Sequence, residues 1–134
     1  MGDGIRVLLV DDEERFAQTL SKRLRERGLS VLTASRGMEA LDLMEDHVFD
    51  VVVLDVKMPG MTGVETLREI KKIQPLTEVI LLTGHASVDS AIEGMRLGAL
   101  EYLMKPCEIE ELMARIEDAY AKKVMREEEL RQSV

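Results

Sequence analysis

The sequence contains little cysteine, proline or glycine. Its 134 residues include one cysteine, Cys107, so no disulfide can form within the chain and no pair of thiolates can hold a metal ion. Together with the lack of a signal sequence, the single thiol predicts a protein of the reducing cytoplasm. Glycine and proline number only 9 and 3 while hydrophobic residues make up 46%, which excludes a disordered or fibrous chain.

Positive charge, aromatic residues and long apolar runs are scarce as well. Uninterrupted apolar runs such as Val7–Val10 and Val79–Leu82 have only four residues, whereas a membrane span needs about 18. With 18 basic and 26 acidic residues the net charge is −8, and aromatic residues make up 3%. The chain therefore lacks the basic surface and the stacking groups of nucleic-acid-binding proteins. We expect one soluble domain that binds neither nucleic acid nor membrane directly.

What the sequence does contain is a regular alternation of apolar and amphipathic segments. The short apolar segments predict strands at Ile5–Val10, Ser30–Ala34, Val51–Leu54, Glu78–Leu82 and Glu101–Met104. Between them, apolar residues recur with helical spacing, as Phe16, Leu20 and Leu24 do. Helices are predicted to begin near Glu14, Met38, Val64, Ser87 and Glu108. This alternation predicts an α/β three-layer sandwich, in which a parallel sheet has helices on both faces.

Polar residues follow the predicted strands, at the edge where parallel α/β sheets bind ligands. Asp11, Asp12 and Glu13 follow the first strand, Asp55 the third, Thr83 the fourth and Lys105 the fifth. Carboxylates that meet at one edge repel one another unless a cation lies between them. Oxygen ligands without a nearby histidine or cysteine suit a hard ion, so we predict a site for Mg²⁺ (or Mn²⁺).

Three of these residues have the chemistry of phosphoryl transfer. Asp55 directly follows the apolar segment Val51–Leu54, and a carboxylate beside a metal ion is a candidate nucleophile towards phosphorus. Lys105 offers a point charge, and Thr83 a hydroxyl donor, for the oxygens of a phosphoryl group. Taken singly, Asp11 and Asp12 could be ordinary helix-capping residues, Thr83 with Gly84 a turn, and Lys105 with Pro106 a loop. Their placement at the ends of several strands favours a shared function.

Four segments of the chain resemble the receiver domains of two-component response regulators. They are Val7–Glu13, Val53–Gly63, Leu82–His85 and Gly98–Pro106, within a resemblance that extends from about Ile5 to Tyr120. The resemblance implies a flavodoxin-like (CheY-like) fold, with five parallel strands in the order 2-1-3-4-5 and five helices. We expect the receiver domain at residues 1–121. Residues 122–134 are highly charged and predict a helix end or the beginning of a linker.

The resemblance also implies how the acidic residues act. Asp55 would accept a phosphoryl group from a sensor histidine kinase or a phosphotransfer protein of a phosphorelay. Asp11 and Asp12 would hold Mg²⁺ together with Asp55 and the backbone carbonyl of Lys57. The chain would then be a signalling phosphoacceptor that assists its own phosphotransfer and dephosphorylation, and not an enzyme.

Further residues receive roles from the same resemblance. Thr83 and Lys105 would bind the phosphoryl group. Thr83 would also form a conformational switch with the ring of Tyr102, because a threonine drawn towards the phosphoryl group leaves space for that ring. Lys57 and His85 would tune the lifetime of the acyl phosphate.

The expected output is control of an output domain or a protein partner through the last helices, with a phosphorylation-dependent dimer as a further possibility. The segments Thr83–Val88 and Arg96–Ala99 resemble receivers that precede the ATPase of NtrC-like activators. A single-domain regulator fits the sequence equally well.

Two other functions compete with this interpretation. One is a degenerate receiver that works as an interaction module without phosphorylation, against which the complete set of site residues argues. The other is an aspartate-nucleophile phosphohydrolase of the haloacid-dehalogenase kind. Such an enzyme needs a second acid two residues after the nucleophile, where this chain has Lys57.

Overall fold

The computed structural model describes residues 4–58, 60–84 and 88–133, and in these residues five strands alternate with five helices. The strands are β1 (Arg6–Val10), β2 (Ser30–Ala34), β3 (Val51–Leu54), β4 (Glu78–Thr83) and β5 (Glu101–Met104). The helices are α1 (Glu14–Glu26), α2 (Gly37–Asp46), α3 (Gly63–Ile73), α4 (Val88–Arg96) and α5 (Ile109–Gln132). All strand pairs are parallel, and the order is β2-β1-β3-β4-β5. The predicted fold class is therefore confirmed; Ser87, the predicted beginning of the fourth helix, lies outside the described residues.

Local sequence signals fix several helix ends. After α1 the chain turns at Gly28, whose φ of 93° lies in the left-handed region that glycine adopts without strain. α3 begins with a capping box, in which the Thr62 hydroxyl accepts from the Glu65 N–H and the Glu65 carboxylate accepts from the Thr62 N–H. A Cβ atom on Gly63 would collide with the backbone carbonyl of Asp55. Glycine at this position therefore lets α3 begin directly against the segment that follows β3.

Two apolar layers hold the helices against the sheet. Successive strand residues point to opposite faces, so Leu9 lies in one layer and Leu8 in the other. α1 and α5 cover the first face, and α2, α3 and α4 cover the second. β1 and β3 are buried on both faces, as their continuous apolar segments predict. Among the described helices, none is long and apolar enough to cross a membrane.

A buried ion cluster ties α5 to the amino-terminal edge of the sheet. Asp50 is 2% exposed and accepts hydrogen bonds from the Arg6 guanidinium at 2.9 Å and from the Lys123 ammonium at 3.1 Å. Lys123 is 3% exposed and also contacts the Glu127 carboxylate at 3.0 Å. α5 thus continues as a helix past residue 121, where the buried Lys123 side chain joins it to the sheet. The division of the chain at residue 121 stays a prediction.

The charge of Asp50 makes the stability of the fold depend on pH. Burial disfavours this charge, but hydrogen bonds from Arg6 and Lys123 outweigh burial and hold the pKa of Asp50 below its ordinary value of 3.8. Because the folded-state pKa is the lower one, the stabilisation is complete well above pH 3.8 and is lost as the pH falls through the folded-state pKa. We expect the difference in unfolding free energy between wild type and Asp50→Asn to shrink between about pH 5 and about pH 2. Urea titrations across this range measure it, and a constant difference would contradict the assignment.

Candidate functional site

The site lies at the carboxyl edge of the sheet, where the main chain fixes each contributing residue. Asp11, Asp55 and Lys105 come directly after β1, β3 and β5. The Asp55 N–H donates to the carbonyl of Val10 at 2.9 Å, and the Lys105 N–H donates to the carbonyl of Thr83 at 2.9 Å. These bonds continue the strand pairing by one residue, so the register of the sheet determines the backbone positions of Asp55 and Lys105.

Asp11, Asp12 and Asp55 converge at this edge. One carboxylate oxygen of each lies within 4.8 Å of the others. Asp11 and Asp55 are buried, at 2% and 3% exposure, whereas Asp12 is exposed. Three carboxylates, two of them buried and one exposed to solvent, offer hard oxygen ligands. Their donor chemistry therefore fits Mg²⁺ or Mn²⁺.

The ammonium of Lys105 lies among these carboxylates. Its Nζ atom is 2.7 Å from Asp11 Oδ2, 2.8 Å from Glu13 Oε1 and 3.8 Å from Asp55 Oδ2. It also lies 4.2 Å from the centre of the Phe16 ring, a cation–π contact. Burial disfavours the charged amine, but the hydrogen bonds to Asp11 and Glu13 outweigh burial and raise the pKa of Lys105. Lys105 is therefore a fixed positive charge at neutral pH.

Asp11 is the carboxylate whose charge the fold disfavours. Burial raises the pKa of Asp11, and it outweighs the hydrogen bonds that Asp11 accepts from Lys105 and from the Glu13 N–H. The nearby charge of Asp55 acts in the same direction as burial. A divalent cation at this edge would reverse that balance, since it favours the charged form of every carboxylate around it.

Thr83 and Lys57 are two further predicted site residues that the structure describes. Thr83 is the last residue of β4, so it lies within the strand and not directly after it as predicted. Its side chain is fully buried. The N–H of Lys57 lies 3.4 Å from Asp55 Oδ1, which places the main chain of Lys57 beside the Asp55 carboxylate. The roles of the Lys57 carbonyl and side chain stay predictions. His85 lies outside the described residues.

Tyr102 and Thr83 occupy the same face of the sheet. Tyr102 pairs with Leu81 across β4 and β5, and Thr83 follows Leu81 by two residues, so alternation points all three side chains towards the second apolar layer. The Tyr102 ring contacts that layer. Its hydroxyl is buried, and no hydrogen-bond partner is found for it within the described residues. The switch role of Thr83 and Tyr102 stays a prediction, supported by this shared face.

Removing the Tyr102 hydroxyl should stabilise the unphosphorylated protein. A buried hydroxyl without a partner costs about 1 kcal/mol or more, so we expect Tyr102→Phe to raise the unfolding free energy by about 1 kcal/mol. Urea denaturation measures this change. Tyr120→Phe, on α5, is the matched control and should lack the gain. A loss of stability in Tyr102→Phe would show that the hydroxyl has a partner.

Sequence reasoning missed two of the groups that surround Lys105. From the sequence, Phe16 belongs to the apolar spacing of α1, and Glu13 is one of three acidic residues after β1 without a role of its own. The sequence signal for these two groups was their position, with Glu13 directly after Asp12 and Phe16 in the first turn of α1. Neither contact could be predicted from that position, because the Glu13–Lys105 pair joins residues 92 positions apart.

Comparison with known proteins shows that the sequence matches a protein family. A family model described as the response regulator receiver domain matches residues 7–117. Over 119 residues the chain is 40% identical to the transcriptional regulatory protein ZraR of Escherichia coli strain K12, a match covering 89% of this chain and 27% of ZraR. The chain therefore spans about a quarter of the length of that relative.

Solved structures resemble the fold over nearly the whole chain. A response regulator receiver domain protein from Clostridium thermocellum has a TM-score of 0.85 and 41% identity, covering 90% of this chain and 98% of that one. A response regulator protein from Burkholderia pseudomallei, solved with a phosphorylated aspartic acid, a calcium ion and citrate, has a TM-score of 0.81 and 31% identity. That match covers 95% of this chain and 74% of the Burkholderia chain.

Proposed function

The chain belongs to the response regulator receiver domain family, and from this premise we propose that Asp55 is the residue that accepts the phosphoryl group. As a receiver domain, the chain is part of a regulator and not a classical enzyme. The observation that carries the proposal is the convergence on Asp55 of Asp11 and Asp12, within 4.8 Å, and of the Lys105 ammonium at 3.8 Å. The phosphorylated aspartic acid of the Burkholderia response regulator supports it.

Asp11, Asp12 and Asp55, with the backbone carbonyl of Lys57, are the proposed ligands of Mg²⁺ or Mn²⁺. When bound, such an ion neutralises phosphoryl oxygens and orients the donor. The burial that disfavours the charge of Asp11 supports a cation at this place. Asp12 is exposed, so the metal position faces the side from which a phosphodonor approaches.

Lys105 and Thr83 are proposed to bind the phosphoryl oxygens. Transfer to Asp55 spreads negative charge over three equatorial oxygens, which positive groups and hydroxyl donors stabilise. The Lys105 ammonium already lies 3.8 Å from Asp55 Oδ2. The hydrogen bond from the Lys105 N–H to the Thr83 carbonyl keeps these two residues together across β4 and β5. Catalysis by the domain's own residues is thus mainly positioning and charge neutralisation.

The proposed donor is a sensor histidine kinase or a phosphotransfer protein, in the cytoplasm that the single thiol predicts. Phosphorylation would shift Thr83 and Tyr102 and thereby control an output domain or a protein partner through the last helices, or a dimer. The relative ZraR is a transcriptional regulatory protein, which supports the receiver of an NtrC-like activator; a single-domain regulator stays the alternative. Lys57 and His85 are proposed to set the lifetime of the phosphoryl group.

Incubation of the protein with acetyl phosphate and Mg²⁺, followed by intact mass measurement, tests the proposal. We expect a gain of one labile phosphoryl group, which is absent when EDTA removes the metal. If neither acetyl phosphate nor a cognate kinase adds the group, the proposal fails and an interaction module independent of phosphorylation takes its place.

A further inference from the structure

Lys105 is shared between three carboxylates, and the farthest of them is the proposed acceptor. Its Nζ atom lies 2.7 Å from Asp11 and 2.8 Å from Glu13, against 3.8 Å from Asp55. Asp11 is itself a proposed metal ligand. Glu13 is therefore the partner of Lys105 that has no other assigned function, and it lies closer to the ammonium than the acceptor does.

The surroundings of Glu13 differ from those of the other two carboxylates. Its side chain is 61% exposed, while those of Asp11 and Asp55 are 2% and 3% exposed. The Lys105 side chain is 12% exposed. The Glu13 carboxylate thus binds Lys105 from the solvent side, whereas Asp55 is buried. An ion pair with an exposed partner is weak, so a stronger anion can replace Glu13 as the partner of Lys105.

We propose that Glu13 is a positioning residue that competes with the phosphoryl group for the ammonium of Lys105, and so limits the rate at which Asp55 is phosphorylated. This inference rests on the proposed function of the site. In the unmodified protein, Glu13 holds Lys105 towards solvent. As the phosphoryl group passes from acetyl phosphate to Asp55, the bond between phosphorus and the acetate oxygen breaks and acetate leaves. Lys105 meanwhile leaves Glu13 and binds the phosphoryl oxygens, which carry about two negative charges. Breaking the Glu13–Lys105 ion pair therefore contributes to the activation free energy of phosphoryl transfer.

The test compares Glu13→Gln with Glu14→Gln. Both variants remove one negative charge from neighbouring residues without shortening the side chain, and the ion pairs of Lys105 within the described residues involve Glu13 and not Glu14. With saturating Mg²⁺ and acetyl phosphate, we expect Glu13→Gln to be phosphorylated about two- to fivefold faster than wild type, the range of one exposed ion pair. Glu14→Gln should stay close to the wild-type rate.

A second phosphodonor distinguishes the release of Lys105 from a weaker electrostatic repulsion between the protein and the negatively charged donor. Phosphoramidate carries less negative charge than acetyl phosphate, so an effect of overall charge should be smaller with phosphoramidate. Release of Lys105 should give the same fold-increase with both donors. The inference is overturned if Glu13→Gln is no faster than Glu14→Gln, if it is slower than wild type, or if its increase depends on the charge of the donor. A wild type that takes up no phosphoryl group would instead refute the proposed function itself.

Discussion

Replacement of Asp55 by asparagine is expected to abolish the gain of a phosphoryl group from acetyl phosphate and Mg²⁺. The amide of asparagine has the shape of the carboxylate but cannot attack phosphorus to form an acyl phosphate. Asp55 is 3% exposed and lies against Asp11 and Lys105, so a side chain of the same size keeps the packing. Intact mass measured before and after incubation should show no added group in Asp55→Asn.

The matched control for this experiment is Asp46→Asn. Asp46 is an exposed residue at the end of α2, and its replacement removes the same charge away from the site. We expect the control to gain the phosphoryl group as the wild type does. A phosphorylated Asp55→Asn protein would assign the acceptor to another residue, and a control that also fails would point to an effect of charge alone.

Replacement of Asp50 by asparagine should lower the unfolding free energy by about 3 kcal/mol at neutral pH, because it leaves the buried Lys123 ammonium with only the partly exposed Glu127 carboxylate as counter-charge. Lys123 and Asp50 are 3% and 2% exposed, and the bond between them joins α5 to the sheet. The Arg6 guanidinium also loses its partner, but its side chain is 50% exposed and can turn to water. Urea denaturation followed by circular dichroism measures the loss.

Two further variants make this prediction specific. Asp46→Asn, on the surface, should change the unfolding free energy by less than about 0.5 kcal/mol. Adding Lys123→Met to Asp50→Asn should recover part of the loss, since the second change removes a buried charge that has lost its buried partner. Equal stability of wild type and Asp50→Asn would show that the Asp50–Lys123 pair does not hold α5. Because the cluster lies at the opposite edge from Asp55, folded Asp50→Asn protein should still be phosphorylated.

Much of the fold could be predicted because its signals are local. A strand buried on both faces is apolar at every position, so Val51–Leu54 can be recognised as such a strand from its own four residues. The helices repeat apolar residues with the helical period, as α1 does. The strand order came from the resemblance to receiver domains, because the local patterns do not determine which strands are neighbours.

The candidate site could be predicted in part for a related reason. Parallel strands bring their carboxyl ends to one edge, so polar residues after β1, β3 and β5 must lie near one another. The structure brings Asp11, Asp12, Asp55 and Lys105 together as this rule requires. The rule does not give side-chain directions, and the preference of Lys105 for Glu13 over Asp55 was therefore not predictable.

By itself, the sequence determined the alternation of strands and helices, the buried character of the strands and the chemistry available at their ends, since each depends on residues close together in the chain. Tertiary structure alone decided the partners of the charged groups. The Glu13–Lys105 and Asp50–Lys123 contacts join residues 92 and 73 positions apart. A charged side chain of this acidic protein has many possible counter-charges, and their contact energies differ little until burial and backbone position select one. Here the strand ends at the carboxyl edge placed Lys105 beside Glu13, and the packing of α5 on the sheet placed Lys123 beside Asp50.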